Sequence, residues 1–315
     1  MVLSMRDLIT AMEAALVRFS SREAAQPLRT VMEVGMQKAF FGVMPGFIPD
    51  LPALGTKVVT VFPSNIAAGL PSHLATIVLL DPMTGELLAI TDGRYITEAR
   101  TAAVSALSVK LLAPPRASRL AILGSGVQAR SHLEAIALVR DLSTVRVWSP
   151  NASHCAAFAR EVQPRTIAPI VTAASARDAV EGADIVVLVT AARDIVVRHE
   201  WIEAGAHVCA VGACRPDSRE MDSALVSHAR VFVDSRAAAL AESGDILIPI
   251  AEGIFDETHI AGELGEVALG AVPGRTSDTE ITIFKSVGMA VEDVAAAHLA
   301  YVKAAERGLG RGFVL

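Results

Sequence analysis

The sequence predicts an α/β protein in two parts: a parallel sheet covered by helices on both faces, and a smaller α+β part whose strands are largely antiparallel. Three observations carry this reading. From RLAILG onward, short apolar runs alternate with helical stretches: TVRVWS, API into VTAA, ADIVVLVT, HVCAVG and RVFVDS. Runs buried on both faces belong to parallel sheets. Before that region, KVVTVF, HLATIVLLD and ELLAIT are β-rich, and DPMTGE between the last two has the Pro and Gly of a tight hairpin turn. The third observation is a glycine-rich turn, GSGVQA, where the first run of the alternating part meets its helix.

Taken in order, MVLSMRDLITAMEAALVRF reads as an amphipathic helix rather than a secretory leader, because Asp7 and Glu13 interrupt the apolar run and no small-residue cleavage site follows. Ser4 is its N-cap, and Leu8, Met12, Ala15, Leu16 and Phe19 share a face. Lys57 stands just before the run VVTVF. ITEARTAAVSALSVKLL has helical spacing, with Arg100 and then Thr101 at a helix start, and Pro114 with Pro115 ends it. Those prolines mark the expected boundary between a first domain, residues 1–115, and a second, residues 116–292. FKSVGMAVEDVAAAHLAYVKAAERG reads as a terminal helix outside the sheet, with Val291, Val294, Ala295, His298, Leu299 and Val302 on one face. Residues 293–315 are expected to complete the first domain.

Composition narrows the function. With 52% apolar residues in 315, the chain can bury a large core. A net charge of −6 and 4% aromatic residues give neither a basic stripe nor a stacking platform, so small molecules are expected partners and nucleic acid is not. No apolar stretch is long enough to span a bilayer. Cys155, Cys209 and Cys214 have no metal-like spacing and no paired framework, which fits a reducing cytoplasm. No metal site is expected.

Gly124, Ser125, Gly126, Val127, Gln128 and Ala129 follow a strand and open a helix, which is the GxGxxA form of the dinucleotide fingerprint. Gly124 makes the tight turn, Gly126 lets backbone approach a pyrophosphate, and Ala129 packs helix on strand. The next strand, TVRVW, is followed by Ser149, Pro150 and Asn151, with no acid before Glu161. An acid there would hold an unphosphorylated ribose and repel a 2′-phosphate. Its absence allows NADPH as well as NADH and tilts the expectation modestly toward NADPH, with Ser149 and Asn151 at the ribose.

Several stretches together, PLRTVM, GTKVVTVFP, PSHLATIVLLD, EARTAAVSALSVKLL, ILGSGVQARSH, VGACRPDSREMD, AESGDI and TIFKSVGMAVED, resemble the ornithine cyclodeaminase/mu-crystallin family almost end to end. The resemblance implies a homodimer with a Rossmann-type NAD(P)-binding domain and a substrate-binding/dimerisation domain. The step its members share is hydride exchange between nicotinamide and the α-carbon of an amino or imino acid. It places Arg29 and Lys57 among the cations that bind substrate, and Arg100 beside both substrate and cofactor. Ser72 with His73, Thr190, and Ser286 with Val287 fall on positions lining the nicotinamide pocket, and the backbone of Ala210 and Val211 lies against the nicotinamide.

In the family's cyclodeaminases the loop after the Val-Gly pair carries an acid/base aspartate; here that position is Cys214, and Asp217 follows three residues later. A thiol near pH 7 is a poor substitute for a carboxylate. A reductase needs less from this position, since a protonated cyclic imine already attracts hydride. The expected activity is therefore NAD(P)H-dependent reduction of cyclic imino acids, with Lys57, Cys214 and Asp217 as candidate acid/base groups. The alternatives are an ornithine cyclodeaminase, an alanine dehydrogenase-like enzyme, and a nucleotide-binding protein without turnover.

Overall fold

The structure, a computed structural model, describes residues 2–35 and 39–312. The chain divides into two compact units, Met1–Arg100 with Met289–Leu315, and Thr101–Gly288. The first unit opens with helix α1 (Met5–Ser20), whose cap Ser4 accepts from the Asp7 backbone N–H at 3.2 Å. Leu8, Met12, Ala15 and Leu16 are buried along one face, as their spacing requires.

Among the described residues of this unit the strands form one antiparallel sheet in chain order: β1 (Thr30–Val34), β2 (Ala39–Ile48), β3 (Ala53–Val61), β4 (His73–Leu80) and β5 (Leu87–Asp92). The hairpin between β4 and β5 is fastened by Asp81, whose carboxylate accepts from the backbone of Met83 at 2.7 Å and Thr84 at 3.0 Å.

Lys57, expected just ahead of a strand, lies inside β3 opposite Met44 and Ile77. Gly55, two residues ahead of it in the strand, is glycine because of packing: a Cβ there would sit 2.3 Å from the Val78 carbonyl oxygen. Helix α2 (Gly93–Leu112) begins earlier than expected, so Thr101 is in its interior. The Asp92 carboxylate accepts from Arg94 N–H at 2.8 Å and starts the helix there.

In the second unit strands and helices alternate: β6 (Arg119–Leu123), α3 (Val127–Ile136), β7 (Thr144–Trp148), α4 (Ala152–Val162), β8 (Ile170–Thr172), α5 (Ala176–Val180) and β9 (Ile185–Leu188). They continue with β10 (His207–Ala210), α6 (Ser223–His228), β11 (Arg230–Val233), α7 (Arg236–Glu242), α8 (Gly244–Ala251), β12 (Ile260–Glu263), α9 (Leu264–Ala268) and β13 (Thr282–Lys285). The described strands pair in parallel in the order β12-β11-β13-β10-β9-β6-β7-β8. This is a doubly wound Rossmann-type sheet. The chain reverses its winding between β6 and β9, and ligands of such sheets bind outside the carboxyl ends of the strands at that point.

The terminal stretch departs from expectation at its start. Phe284 and Lys285 belong to β13, seated between β10 and β11, and helix α10 (Ala290–Glu306) follows only after a turn. The run Thr-Ile-Phe-Lys suits a buried strand better than a helix, since its side chains are all fully buried in the sheet. Helix α10 packs in the first unit, with Val294 Cγ1 3.3 Å from where a Cβ of Gly55 would be, and Lys303 ties it to α1 through Asp7 at 2.5 Å. Residues 313–315 of the expected helix lie outside the described residues. Among the described residues no helix is long and apolar enough to cross a membrane, and none group as a metal site.

Candidate active site

The first unit gathers a buried cluster of charges. Lys57 on β3 places its ammonium 2.6 Å from Asp293 Oδ2 on α10. Arg100 on α2 donates from Nε to Asp293 Oδ1 at 3.0 Å and from Nη1 to Glu292 Oε2 at 2.5 Å. All four side chains are buried, with Glu292 and Asp293 fully so. Arg29 is close enough to repel a proton from Lys57 and to favour the Asp293 carboxylate.

Charges buried this deeply persist only when paired, and the pairing here is uneven in effect. Burial pulls the Lys57 ammonium down to about 8, Asp293 opposes that, and Arg100 and Arg29 add to it. Burial alone would raise Asp293, but Arg100 and Lys57 outweigh it and hold the carboxyl below its usual range. His73, at the start of β4, is brought to about 4 by burial and by Lys57 and Arg100, so it is neutral near pH 7. Within the cluster, Lys57 is brought to where it can exchange a proton near neutrality. Ser72 sits half-buried beside His73, with its carbonyl accepting from Phe62 N–H at 2.7 Å.

The second unit carries the glycine turn. Gly124 has φ +115°, and a Cβ there would be 2.6 Å from the Val189 carbonyl oxygen, so the turn admits only glycine. The carbonyls of Ser125 and Gly126 are held by the Arg130 guanidinium at 2.9 Å each. Gly126 is the N-cap of α3 and provides no side-chain cap, which leaves first-turn N–H groups for an anion. Val127 is exposed, and Gln128 Oε1 is buried without a hydrogen-bond partner among the described residues. At the end of β7, Ser149 Oγ lies 3.1 Å from Ser125 Oγ, and Asn151 caps α4 through its side-chain oxygen. These residues fit a dinucleotide whose pyrophosphate meets α3.

The sequence profile of the ornithine cyclodeaminase/mu-crystallin family matches residues 1–308. The chain belongs to that family. The ketimine reductase mu-crystallin of Mus musculus is 45% identical over 297 residues, covering 93% of this chain and 91% of the mouse protein. The Δ1-pyrroline-2-carboxylate reductase of Thermococcus litoralis, solved in complex with NADH and L-proline, superposes with a TM-score of 0.97 at 42% identity, covering 99% of this chain and 97% of that one. An archaeal alanine dehydrogenase dimer with bound NAD gives a TM-score of 0.94 at 31% identity, covering 98% of this chain and 94% of that one.

Of the residues singled out from the family pattern, Arg29, Lys57 and Arg100 come together, joined by Asp293 and Glu292, which the sequence reading had not selected. In the second unit Ala210 ends β10 fully buried and Val211 follows it half-buried. Ser286 Oγ donates to Asp234 Oδ2 at 3.1 Å, and Val287 and Gly288 donate their backbone N–H groups to the same oxygen at 2.7 Å. Cys214 is exposed, with its thiol 3.2 Å from the Val211 carbonyl, while Cys155 and Cys209 are buried. Asp217 is exposed and paired with Arg215 at 3.0 Å, which holds its carboxyl below the usual range and keeps it ionised. Thr190 is bound by a buried acid, Glu220, which also went unselected.

One substitution separates fold from ligand. A Cβ on Gly126 would meet nothing within 4 Å, so the protein itself does not need glycine there. Gly126→Ala is expected to fold and melt like the unaltered protein yet bind NADH at least about tenfold more weakly, because the fingerprint calls for glycine there so that backbone can approach a pyrophosphate. Equal affinity by fluorescence titration would remove the phosphates from this turn.

Proposed function

We propose that the protein is an NAD(P)H-dependent reductase of cyclic imino acids of the Δ1-pyrroline-2-carboxylate type. The observation that carries the reading is Lys57, a buried ammonium held by Asp293 at 2.6 Å and brought by its surroundings to about 8. A cyclic α-imino acid presents a carboxylate and a ring nitrogen. Arg29 and Arg100 supply the guanidinium charge for the carboxylate, and planar donors of this kind orient it as well as bind it. Lys57 keeps the ring nitrogen protonated, which makes the imine carbon the electrophile. Asp293 stays ionised, anchors Lys57, and does not compete for the proton. When bound, the reduced nicotinamide supplies the hydride. The identities of the relatives, a ketimine reductase and a pyrroline-2-carboxylate reductase seen with NADH and proline, support the same chemistry.

The second unit holds NAD(H) through the Gly124–Gln128 turn, with Ser149 and Asn151 at the adenosine ribose and Thr190, Ala210, Val211 and Ser286 toward the nicotinamide. Ser72, Arg100 and Thr101 belong with the cofactor's reactive end, and Val287 with the substrate ring. Because no acid follows β7, NADPH binds at least as tightly as NADH. The protein works as a homodimer. Leu28, Val31, Met32, Ile66, Leu70 and Leu74 in the first unit are exposed apolar side chains, a surface that a second copy would cover.

The test is to supply NADH or NADPH with Δ1-pyrroline-2-carboxylate or Δ1-piperideine-2-carboxylate and to follow the cofactor's absorbance. Oxidation of either cofactor with formation of the cyclic amino acid is expected. No oxidation with either imine would leave a binding protein as the reading. In the same assay format L-ornithine with NAD⁺ should release little ammonia, and Cys214→Asp should raise that release, because it restores a carboxylate where the cyclodeaminases carry one. Brisk ammonia release by the unaltered protein would replace the reductase with a lyase.

A further inference from the structure

A single carboxylate joins two loops at the carboxyl ends of neighbouring strands. Glu220, fully buried, accepts at Oε1 from the backbone N–H of Thr190 at 2.9 Å and from its hydroxyl at 2.6 Å. At Oε2 it accepts from the backbone N–H of Ala213 at 3.2 Å. Thr190 follows β9 and Ala213 follows β10, strands paired in parallel. Gly212 completes the contact, since a Cβ there would lie 2.3 Å from the Thr190 carbonyl oxygen and 2.5 Å from Glu220 Oε2.

Glu220 is in turn fixed from two other elements. Asp245 on α8 accepts from the backbone N–H of Glu220 at 2.8 Å and of Met221 at 3.1 Å, and its other oxygen lies 3.0 Å from the Lys285 ammonium. Lys285, on β13, donates to the Ala213 carbonyl at 2.5 Å. Two carboxyl groups and one ammonium, all fully buried, are a costly way to close a core, and an apolar set of equal volume would serve stability as well or better. What an apolar set could not do is hold a Thr190 hydroxyl and an Ala213 N–H on one rigid group.

We propose that Glu220 is a positioning residue for the nicotinamide end of the dinucleotide: it sets the separation of the Thr190 and Ala213 loops, while Asp245 and Lys285 hold it in register. This rests on the dinucleotide reading above and names a residue beyond it. Three donors converge on the two carboxylate oxygens, so a proton on Glu220 displaces one of them and loosens the junction. Burial and Asp245 push the Glu220 carboxyl up to about 7, with Lys285 and Thr190 opposing. The charged or titratable groups around it are Asp245, Lys285 and, acting on Lys285, Cys214.

The test compares the dissociation constants of NADH and of ADP-ribose, which lacks the nicotinamide, across neutral pH. In the unaltered protein the preference for NADH over ADP-ribose should fall as pH drops through about 7, while ADP-ribose affinity stays level. Glu220→Gln mimics the protonated acid, so it should lose about tenfold in NADH affinity at high pH, keep its ADP-ribose affinity, and show no pH step. Thr190→Val, which removes one donor to the carboxylate, should move the step upward in pH, an effect that loss of a direct ligand contact would not produce. A Glu220→Gln protein with the unaltered preference at every pH, or with ADP-ribose weakened in parallel, overturns the assignment; so does an unmoved step in Thr190→Val if Glu220→Gln does not fold. An unaltered protein that binds neither ligand overturns the dinucleotide reading and this one together. Binding of both without imine reduction overturns only the reductase activity.

Discussion

Lys57→Met is expected to lower kcat for cyclic-imine reduction by about 10³-fold while NADH binding is retained, because the change removes the buried amine of the charge cluster that exchanges a proton near neutrality and leaves the nucleotide turn untouched. The sign of the pH dependence follows from the direction of the shift. Lys57 acts in its protonated form, so in the unaltered protein kcat should decline as pH rises through about 8. Lys57→Arg keeps the charge but not the titration, and any residual activity should lack that decline below about pH 10, since a guanidinium stays protonated throughout. Steady-state kinetics across this range decide the matter. A Lys57→Met enzyme with ordinary kcat, or one that keeps the same alkaline limb, would move the proton to another residue.

Removing the counter-charge should affect stability most. Asp293→Ala is expected to destabilise the first unit by about 3–5 kcal/mol, since it leaves the buried Lys57 and Arg100 with one fewer carboxylate between them. Urea melts of the two proteins would measure it. The linkage runs in the acid direction: the Asp293 carboxyl is held below its ordinary 3.8, so its contribution is present above that value and is lost as pH falls through the lower folded value. The stability gap between the unaltered protein and Asp293→Ala should therefore narrow at acid pH. A gap under about 1 kcal/mol at neutral pH, typical of an exposed pair, would mean that the cluster is far more solvated than its burial indicates.

Much of this was legible in the residues, and what was not has definite causes. The alternating runs identified the central strands of the parallel sheet because both faces are buried, and the glycine turn falls where the fingerprint places it, between β6 and α3. Strand β2 was not legible, because Gly42, Pro45 and Gly46 inside AFFGVMPGFI punctuate a run that pairs with β1 on one side and β3 on the other. Phe284 and Lys285 read as the start of the terminal helix because the end of so short a strand shows no period of its own. In the active site the cations came from the family pattern, whereas Asp293 and Glu292 looked like the ordinary acidic first turn of a helix. Their role depends on β3 and α2 arriving beside α10, which local spacing does not encode. Glu220 was hidden for the same reason: REMD reads as a solvated loop until Asp245 and Lys285 are found beneath it.

The first unit is built from two separate segments of chain, with the whole of the second between them. Arg100 and Asp293 are 193 residues apart. A ribosome delivers Lys57 and Arg100 early, then the complete nucleotide-binding segment, and only afterwards the acids that neutralise them. The second unit is continuous and can close its core as it emerges. The first must wait with its β-sheet half-covered, its lysine still fully hydrated and at an ordinary alkaline pKa. Proton exchange by Lys57 near neutral pH is therefore the last property the first unit acquires, and a product truncated before α10 would carry a finished nucleotide fold beside an inert amine.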